Sequence, residues 1–101
     1  MVIVTGWILA RPETLADLIA LGQAHSRRSR AEPGCLSHDL YIDSENGLKL
    51  FFFERWADRA ALEAHFAVPE SNAFMRAVRA LSAGGSKGPE IFDVSDKVPS
   101  P

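Results

Sequence analysis

The alternation of apolar and polar positions along the chain predicts four strands. Residues 2–9 are rich in β-branched side chains, and both faces of this strand are apolar. Residues 35–43 alternate between apolar and polar positions, which is typical of a half-buried strand. A turn with Asn46-Gly47 as its strongest signal leads into a third strand over residues 48–56. A short last strand is predicted at residues 90–94.

Helical spacing marks three helices between these strands. Pro12 opens the first helix within its first turn, where its missing N–H costs nothing, and Glu32-Pro33-Gly34 ends it. Asp58 caps a short second helix, and a third helix starts at residues 69–72. Residues at spacings of three and four give each helix one buried face: Leu15, Leu18, Ile19 and Gly22 in the first, Leu62, His65 and Phe66 in the second, and Phe74, Ala77, Val78 and Leu81 in the third.

The element order βαββααβ is that of the ferredoxin-like split βαβ plan with its second helix broken in two. We therefore predict an α+β fold in which helices cover one face of a four-stranded antiparallel sheet. The first and third strands are apolar on both faces, which a sheet with one wet face would not show. We expect a homodimer whose sheets pack face to face; the alternative is an exposed apolar sheet surface.

Length and charge narrow the class of protein. The 101 residues predict a single domain over residues 1–95, followed by a polar, proline-rich tail over residues 96–101. A net charge of −2 argues against a nucleic-acid binder that neutralises phosphates. The apolar stretches are too short to span a membrane, and the N-terminal residues lack a signal-peptide pattern, so we expect a cytoplasmic protein.

The content of metal-binding and cofactor-binding residues is low. Cys35 is the only cysteine, so no internal disulfide can form, and with three histidines a Cys-rich zinc site is not expected. The chain has neither a glycine-rich dinucleotide fingerprint nor metal ligands clustered along the sequence. We therefore expect no cofactor and no metal. Arg27, Arg28 and Arg30 are expected to form a solvated helix end.

Several segments together resemble the antibiotic biosynthesis monooxygenase domain. They are Arg11-Pro12-Glu13, Glu32-Pro33-Gly34-Cys35-Leu36, the run Phe53-Glu54-Arg55-Trp56-Ala57-Asp58, the run Leu62-Glu63-Ala64-His65-Phe66, and Pro69. The resemblance covers roughly residues 2–94. It implies a dimeric α+β barrel built from two ferredoxin-like halves. The activities that it implies include oxidation of anthrone- or quinol-type aromatics with neither metal nor flavin.

Three polar side chains are candidate catalytic groups. His65 shares a helix face with apolar residues and should point towards the sheet, where an imidazole can act as a general base near neutral pH. The alternative is a core histidine bonded to a backbone carbonyl, although the resemblance implies that this position lines a pocket. His38 interrupts an apolar strand face, as either a pocket residue or a dimer-interface residue. Glu54 on the third strand needs a partner when buried, and a raised pKa would make it a base.

The aromatic residues predict a dry interior that would accept a flat aromatic substrate. The candidate substrate-binding residues are Trp56, Phe52, Phe66, Phe74 and Gly6. Simple core packing is the alternative for the aromatic residues, and for Trp56 it is the first expectation. Gly6 enters through the resemblance, because the haem-degrading branch of the family has an asparagine at this place in the first strand.

Three functions remain open from the sequence. The first is a cofactor-independent monooxygenase that uses O₂ on a small aromatic substrate, because electron-rich quinols and anthrones form anions that reduce O₂ themselves. The second is a non-catalytic small-molecule-binding module of the same fold. The third, haem degradation, is disfavoured, because Gly6 and His65 stand where that branch has asparagine and tryptophan, and residues 71–81 hold no histidine.

Overall fold

The computed structural model describes residues 1–84, 87–95 and 97–100, and it has the predicted order of strands and helices. The elements are β1 (Val2–Leu9), α1 (Leu15–Arg30), β2 (Cys35–Asp43), β3 (Asn46–Trp56), α2 (Arg59–Ala67), α3 (Pro69–Leu81) and β4 (Lys87–Asp93). The strands form one antiparallel sheet in the order β2-β3-β1-β4. The predicted ferredoxin-like α+β fold is therefore confirmed.

The helices pack on the sheet face that carries alternate residues of β1 and β3. Val2 and Val4 of β1 join Trp56 and Leu62 in one buried cluster. A second cluster joins residues of β1 and β3 to Leu18 of α1 and Val78 of α3. In the β1–β3 register Val4 lies opposite Glu54. The register therefore places a carboxyl group in the middle of an otherwise apolar face.

The other sheet face carries aromatic side chains that the helices do not cover. Trp7, Phe51 and Tyr41 lie side by side on three neighbouring strands. Phe51 is partly buried and Tyr41 is 53% exposed. Phe92, which pairs with Ile3, is 46% exposed. Strands β1 and β3 thus carry large apolar side chains on both faces, as the sequence predicts, while Asp39 and Arg55 also lie on the uncovered face.

Helix α1 begins at Leu15 and not at Pro12, because residues 12–14 form a turn of their own. The Thr14 N–H donates to the carbonyl of Arg11 at 3.0 Å. The Thr14 hydroxyl accepts from the Arg11 N–H at 3.0 Å and donates to the carbonyl of Leu81 at 2.7 Å. Thr14 thereby ties the start of α1 to the end of α3.

The hairpin between β2 and β3 also differs from the prediction. Its tip is Ser44-Glu45, and Asn46 and Gly47 already belong to β3. The Asp43 carboxylate accepts a hydrogen bond from the Glu45 N–H at 2.7 Å, which closes the turn two residues before Asn46-Gly47.

Strands β2 and β4 differ from their predicted patterns as well. A bulge between Cys35 and Ser37 interrupts the alternation, and Leu36 is 52% exposed. Strand β4 begins at Lys87, three residues before the predicted start. Its pairing with β1 shifts register between Thr5 and Trp7 and continues with Lys87 opposite Trp7.

The remaining sequence predictions concern the tail and membrane insertion. Positions 96 and 101 of the predicted tail lie outside the described residues, and residues 97–100 are exposed. Within the described part of the chain, no helix combines the length and apolar character needed to cross a bilayer.

Candidate active site

A cavity of about 580 Å³ lies between the helices and the sheet. Six of the predicted site residues line it: His65, Glu54, Phe52, Phe66, Phe74 and Gly6. His38 and Trp56 are not on its wall; both are fully buried behind it. The cavity also brings in residues that the sequence analysis did not select, of which His25 matters most.

His65 is held by a capped helix and by a carboxylate. The Asp58 carboxylate accepts a hydrogen bond from the Ala61 N–H at 2.9 Å and starts α2, as predicted. His65 Nδ1 lies 2.8 Å from Glu32 Oε1, and the residue is 3% exposed. Since a carboxylate only accepts, Nδ1 carries a proton, and in the neutral ring Nε2 keeps the lone pair. His65 is therefore oriented to accept a proton at Nε2.

Glu32 reaches His65 from the turn that ends α1. Gly34 makes this turn possible with a φ of 81°, and the Gly34 carbonyl accepts a hydrogen bond from the Ala57 N–H at 2.8 Å. The Oε2 atom of Glu32 is buried and has no hydrogen-bond partner within the described residues. Glu32 was part of the quoted family motif, but the sequence offered no signal that it pairs with a side chain on α2.

His25 was missed, although the buried stripe of α1 contains a signal for it. The predicted stripe ends at Gly22, whereas at helical spacing the buried stripe continues through His25, Ser26 and Ser29. His25 is 5% exposed, and its ring stacks on Phe74 with a centroid distance of 4.1 Å and an interplanar angle of 5°.

The partner of His25 is Arg28. This contact differs from the prediction that Arg28 belongs to a solvated helix end. Arg28 Nη2 lies 2.6 Å from His25 Nδ1, and Arg28 is partly buried. A guanidinium only donates, so His25 Nδ1 accepts and the ring proton is on Nε2. Burial, together with the nearby His38, His65 and Arg28, lowers the pKa of His25 to about 3. His25 is thus a neutral side chain with an N–H to offer.

His38 and Trp56 support Glu54 from behind the cavity wall. The Trp56 indole N–H donates to Glu54 Oε1 at 3.0 Å. His38 Nδ1 lies 2.9 Å from the Ser26 hydroxyl oxygen, and His38 Nε2 lies 3.4 Å from Glu54 Oε2. The sequence left two alternatives for His38, a pocket residue or a dimer-interface residue. In the structure His38 lies on the helix-covered face of the sheet, behind the wall of the cavity.

The three histidines form a cluster that the chain order does not reveal. One ligand nitrogen from each lies within 4.8 Å of the other two, a spacing that a metal ion could use. A zinc ion requires a lone pair from each neutral imidazole. With Arg28 on Nδ1, His25 presents an N–H instead of a lone pair at Nε2. The observed hydrogen bonds therefore fit His25 as a donor better than as a metal ligand.

Comparison with known proteins agrees with this architecture. The sequence profile of the family described as "Antibiotic biosynthesis monooxygenase" matches residues 1–77. The chain belongs to this family.

Two curated relatives are similar over part of the chain. "Uncharacterized protein sll1783" of Synechocystis is 39% identical over 74 residues, which are 73% of this chain and 50% of that protein. "Putative monooxygenase Rv0793" of Mycobacterium tuberculosis is 43% identical over 61 residues, which are 60% of this chain and 59% of that protein. The matches thus span between half and three-fifths of the length of these relatives.

Solved structures of the family share the fold over nearly the whole chain. The structure of Rv0793 superposes with a TM-score of 0.86 at 31% identity and covers 97% of this chain and 98% of that chain. A crystal structure of an antibiotic biosynthesis monooxygenase superposes with a TM-score of 0.84 at 26% identity, covering 95% of this chain and all of that chain (100%).

Proposed function

We propose that this family member is a monooxygenase that oxidises a small quinol- or anthrone-type aromatic with O₂ and without a bound cofactor. The observation that carries the proposal is His65 on the wall of a largely apolar cavity, with Glu32 behind it at 2.8 Å from Nδ1. It supplies an oriented base beside a space lined mostly by apolar side chains. This chemistry requires a general base and an apolar pocket from the protein.

The chemistry begins with proton transfer from the substrate to His65 Nε2. In an anthrone-type substrate a C–H bond of an activated methylene breaks, and the electron pair stays on the substrate. The resulting anion transfers electrons to O₂ and forms a C–O bond, giving a peroxide anion that takes back the proton held by His65. Loss of water then leaves a carbonyl group, with one oxygen atom in the product and the other in water. The substrate is oxidised and O₂ is reduced, so no further reductant is needed.

The apolar wall positions the ring system for this step. Phe52, Phe66 and Phe74 line the cavity, and Phe66 is 42% exposed, which places it near the opening. At Gly6 the missing side chain leaves space between the two buried residues Val4 and Ile8. We assign substrate contact to these residues, and we assign to Trp56 the positioning of Glu54.

Glu54 is the second polar group that would face the substrate. Its carboxylate lines the cavity; the Trp56 indole N–H donates to Oε1 from behind, and His38 Nε2 lies 3.4 Å from Oε2 without a hydrogen bond to it. We assign to it the orientation of a substrate hydroxyl, with His38 as a positioning residue. Full activity in a Glu54→Gln variant would show that the negative charge of Glu54 is not needed for this role.

Oxygen consumption tests the proposed function directly. Metal-free and flavin-free protein is mixed with a panel of anthrones and reduced quinones in an oxygen electrode. We expect uptake above autoxidation, and a loss of about 10²-fold or more in His65→Ala, as for removal of a general base. Glu63→Ala, a change at an exposed position of the same helix, is the matched control. Binding of these aromatics without oxygen uptake would favour the non-catalytic binding module.

We also propose that the protein acts as a homodimer through the uncovered face of its sheet. Trp7, Phe51 and Tyr41 form an aromatic row across three strands of that face. Apolar patches of this kind are typical of interfaces, and a second copy offers a matching sheet. The dimer would leave the cavity open, because the cavity lies on the helix-covered side.

A further inference from the structure

We propose that His25 donates a hydrogen bond from Nε2 to an ionised substrate oxygen, and that Arg28 is the positioning residue that keeps it a donor. This inference rests on the proposed oxidation and deepens it. It assigns the substrate to compounds whose deprotonation leaves negative charge on oxygen, which are phenols and enolisable aryl ketones.

The first support is the direction of the Arg28–His25 hydrogen bond. Guanidinium nitrogens have protons and no lone pair, so at 2.6 Å from His25 Nδ1 they can only donate. Both partners lie on α1, three residues apart, so the helix itself maintains the contact. The ring proton is thereby placed on Nε2, whichever ligand enters the cavity.

The second support is that the ring is held in place. Phe74 stacks on it in a parallel arrangement at 4.1 Å, and His25 contributes to the wall of the cavity. His25 Nε2 has no hydrogen-bond partner in the ranges 1–84, 87–95 and 97–100. His25 Nε2 is also not among the fully buried atoms that lack a partner, so its N–H is accessible from the cavity, where a ligand oxygen can accept from it.

The third support is the electrostatic surroundings of His25. The charged and titratable side chains around it, or on the same cavity wall, are Arg28 of α1, His38 of β2, Glu54 of β3, His65 of α2, Arg79 of α3 and Lys87 of β4. Burial first, and then the nearby His38, His65 and Arg28, disfavour a second proton on the ring, so the pKa of His25 lies at about 3. His25 remains neutral across neutral and mildly acidic pH.

These features divide the chemistry between two histidines. His65 accepts the proton when the substrate C–H or O–H bond breaks, and the electron pair delocalises onto the substrate oxygen. His25 then donates to that oxygen in the place where negative charge develops. A neutral imidazole is known to act as such an electrophile in other enzymes. The pairing explains why two histidines from different helices line one cavity.

Nitrogen NMR of protein with isotopically labelled histidine tests the tautomer without any substrate. We expect wild type to show His25 protonated at Nε2 and bare at Nδ1 across neutral and mildly acidic pH. In Arg28→Met, a population with the proton on Nδ1 should emerge. Arg27→Met, a neighbouring exposed arginine, should match wild type. An Nδ1-protonated His25 in wild type would overturn the inference.

Binding of an oxidatively inert nitrophenol tests the donor role, because its absorption reports whether the bound form is ionised. We expect wild type to prefer the phenolate, and His25→Phe to weaken phenolate binding about tenfold or more, as for loss of one hydrogen bond to a charged group. His25→Gln, which keeps an N–H, should retain most of the preference. Equal phenolate affinity in wild type and a folded His25→Phe would refute the donor role, even if oxygen uptake confirms the oxidation.

Titration with zinc alone separates this role from a metal site. We expect Arg28→Met to bind zinc at least about tenfold more tightly than wild type, because loss of the guanidinium lets His25 turn a lone pair towards the other histidines. Arg27→Met should bind zinc as wild type does. Tight stoichiometric binding by wild type that involves all three histidines would contradict a donor at His25 Nε2.

Discussion

At the scale of single residues, the three histidines differ by the group that faces Nδ1. A carboxylate orients one ring as a proton acceptor, a guanidinium orients another as a donor, and a hydroxyl holds the third behind the cavity wall. These partners are Glu32 for His65, Arg28 for His25 and Ser26 for His38. Histidine therefore serves different roles within one cluster, because the neighbour of Nδ1 determines whether Nε2 accepts or donates a proton.

Replacing Glu32 tests whether His65 depends on its carboxylate. In Glu32→Gln the charge is lost and the tautomer of His65 is no longer imposed, so we expect kcat to fall about 10²-fold with little change in KM. Steady-state oxygen uptake measures both constants. Glu63→Gln, exposed on α2, is the control, and an unchanged kcat in folded Glu32→Gln would show that His65 works without this partner.

The lowered pKa of His25 predicts how stability depends on pH. The unfolded chain binds a proton at His25 below about 6.5, whereas the folded chain resists it down to about 3. Stability should therefore fall as pH falls through this window, by at most about 1.4 kcal/mol per pH unit from this residue. Urea unfolding at several pH values should show a shallower acid loss in His25→Phe than in wild type. Equal slopes would mean that His25 protonates in the folded protein.

At the scale of elements, short connections position the site more than the helices do. The turn between α1 and β2 carries Glu32 to His65, and Gly34 packs this turn against α2. A Cβ atom on Gly34 would lie 2.5 Å from the Cβ of Ala61. Because Gly34 has a φ of 81°, a side chain there is strained as well as crowded.

Gly34→Ala should therefore damage both stability and the site. We expect the free energy of unfolding to drop by about 1–2 kcal/mol from backbone strain alone, and further through the clash with α2. The control is Gly47→Ala, since a Cβ atom on Gly47 would meet nothing within 4 Å. Urea unfolding of the two variants compares them, and equal stability would show that the turn adapts without cost.

The element boundaries could be predicted only where the signal is local. Helix α2 starts after Asp58 as predicted, because the start depends on a local hydrogen bond between the Asp58 carboxylate and the N–H of Ala61, three residues later. The start of α1 was predicted wrongly, because Thr14 bonds to Leu81, 67 residues away. The bulge at Leu36 likewise depends on the pairing of two strands, which periodicity along one strand does not contain.

At the scale of the whole molecule, the two sheet faces have different tasks. One face, together with the helices, encloses the cavity, and the other presents aromatic residues that remain partly exposed. If the second face is the dimer interface, folding and association are linked, because the same apolar surface stabilises both.

Phe51→Glu tests the dimer, since Phe51 lies between Trp7 and Tyr41 on the uncovered face. A buried, unpaired carboxylate at the interface should convert a dimer into monomers in size-exclusion chromatography with light scattering. Leu21→Glu places the same charge on the exposed face of α1 and should leave the dimer intact. A monomeric wild type at the same protein concentration would contradict the proposed dimer.

The sequence by itself determined the order of the elements, the antiparallel ferredoxin-like plan and the apolar character of both sheet faces. These follow from local periodicity, which shows the face of its own element that a side chain occupies. The same periodicity put Glu54 and Phe52 on one face of β3. Only the tertiary structure decided which side chains meet. Glu32 and His65 are 33 residues apart, and the stacking of His25 on Phe74 joins two helices. Such pairs depend on how turns and strand register bring elements together. The tautomer of each histidine follows from the side chain that contacts it.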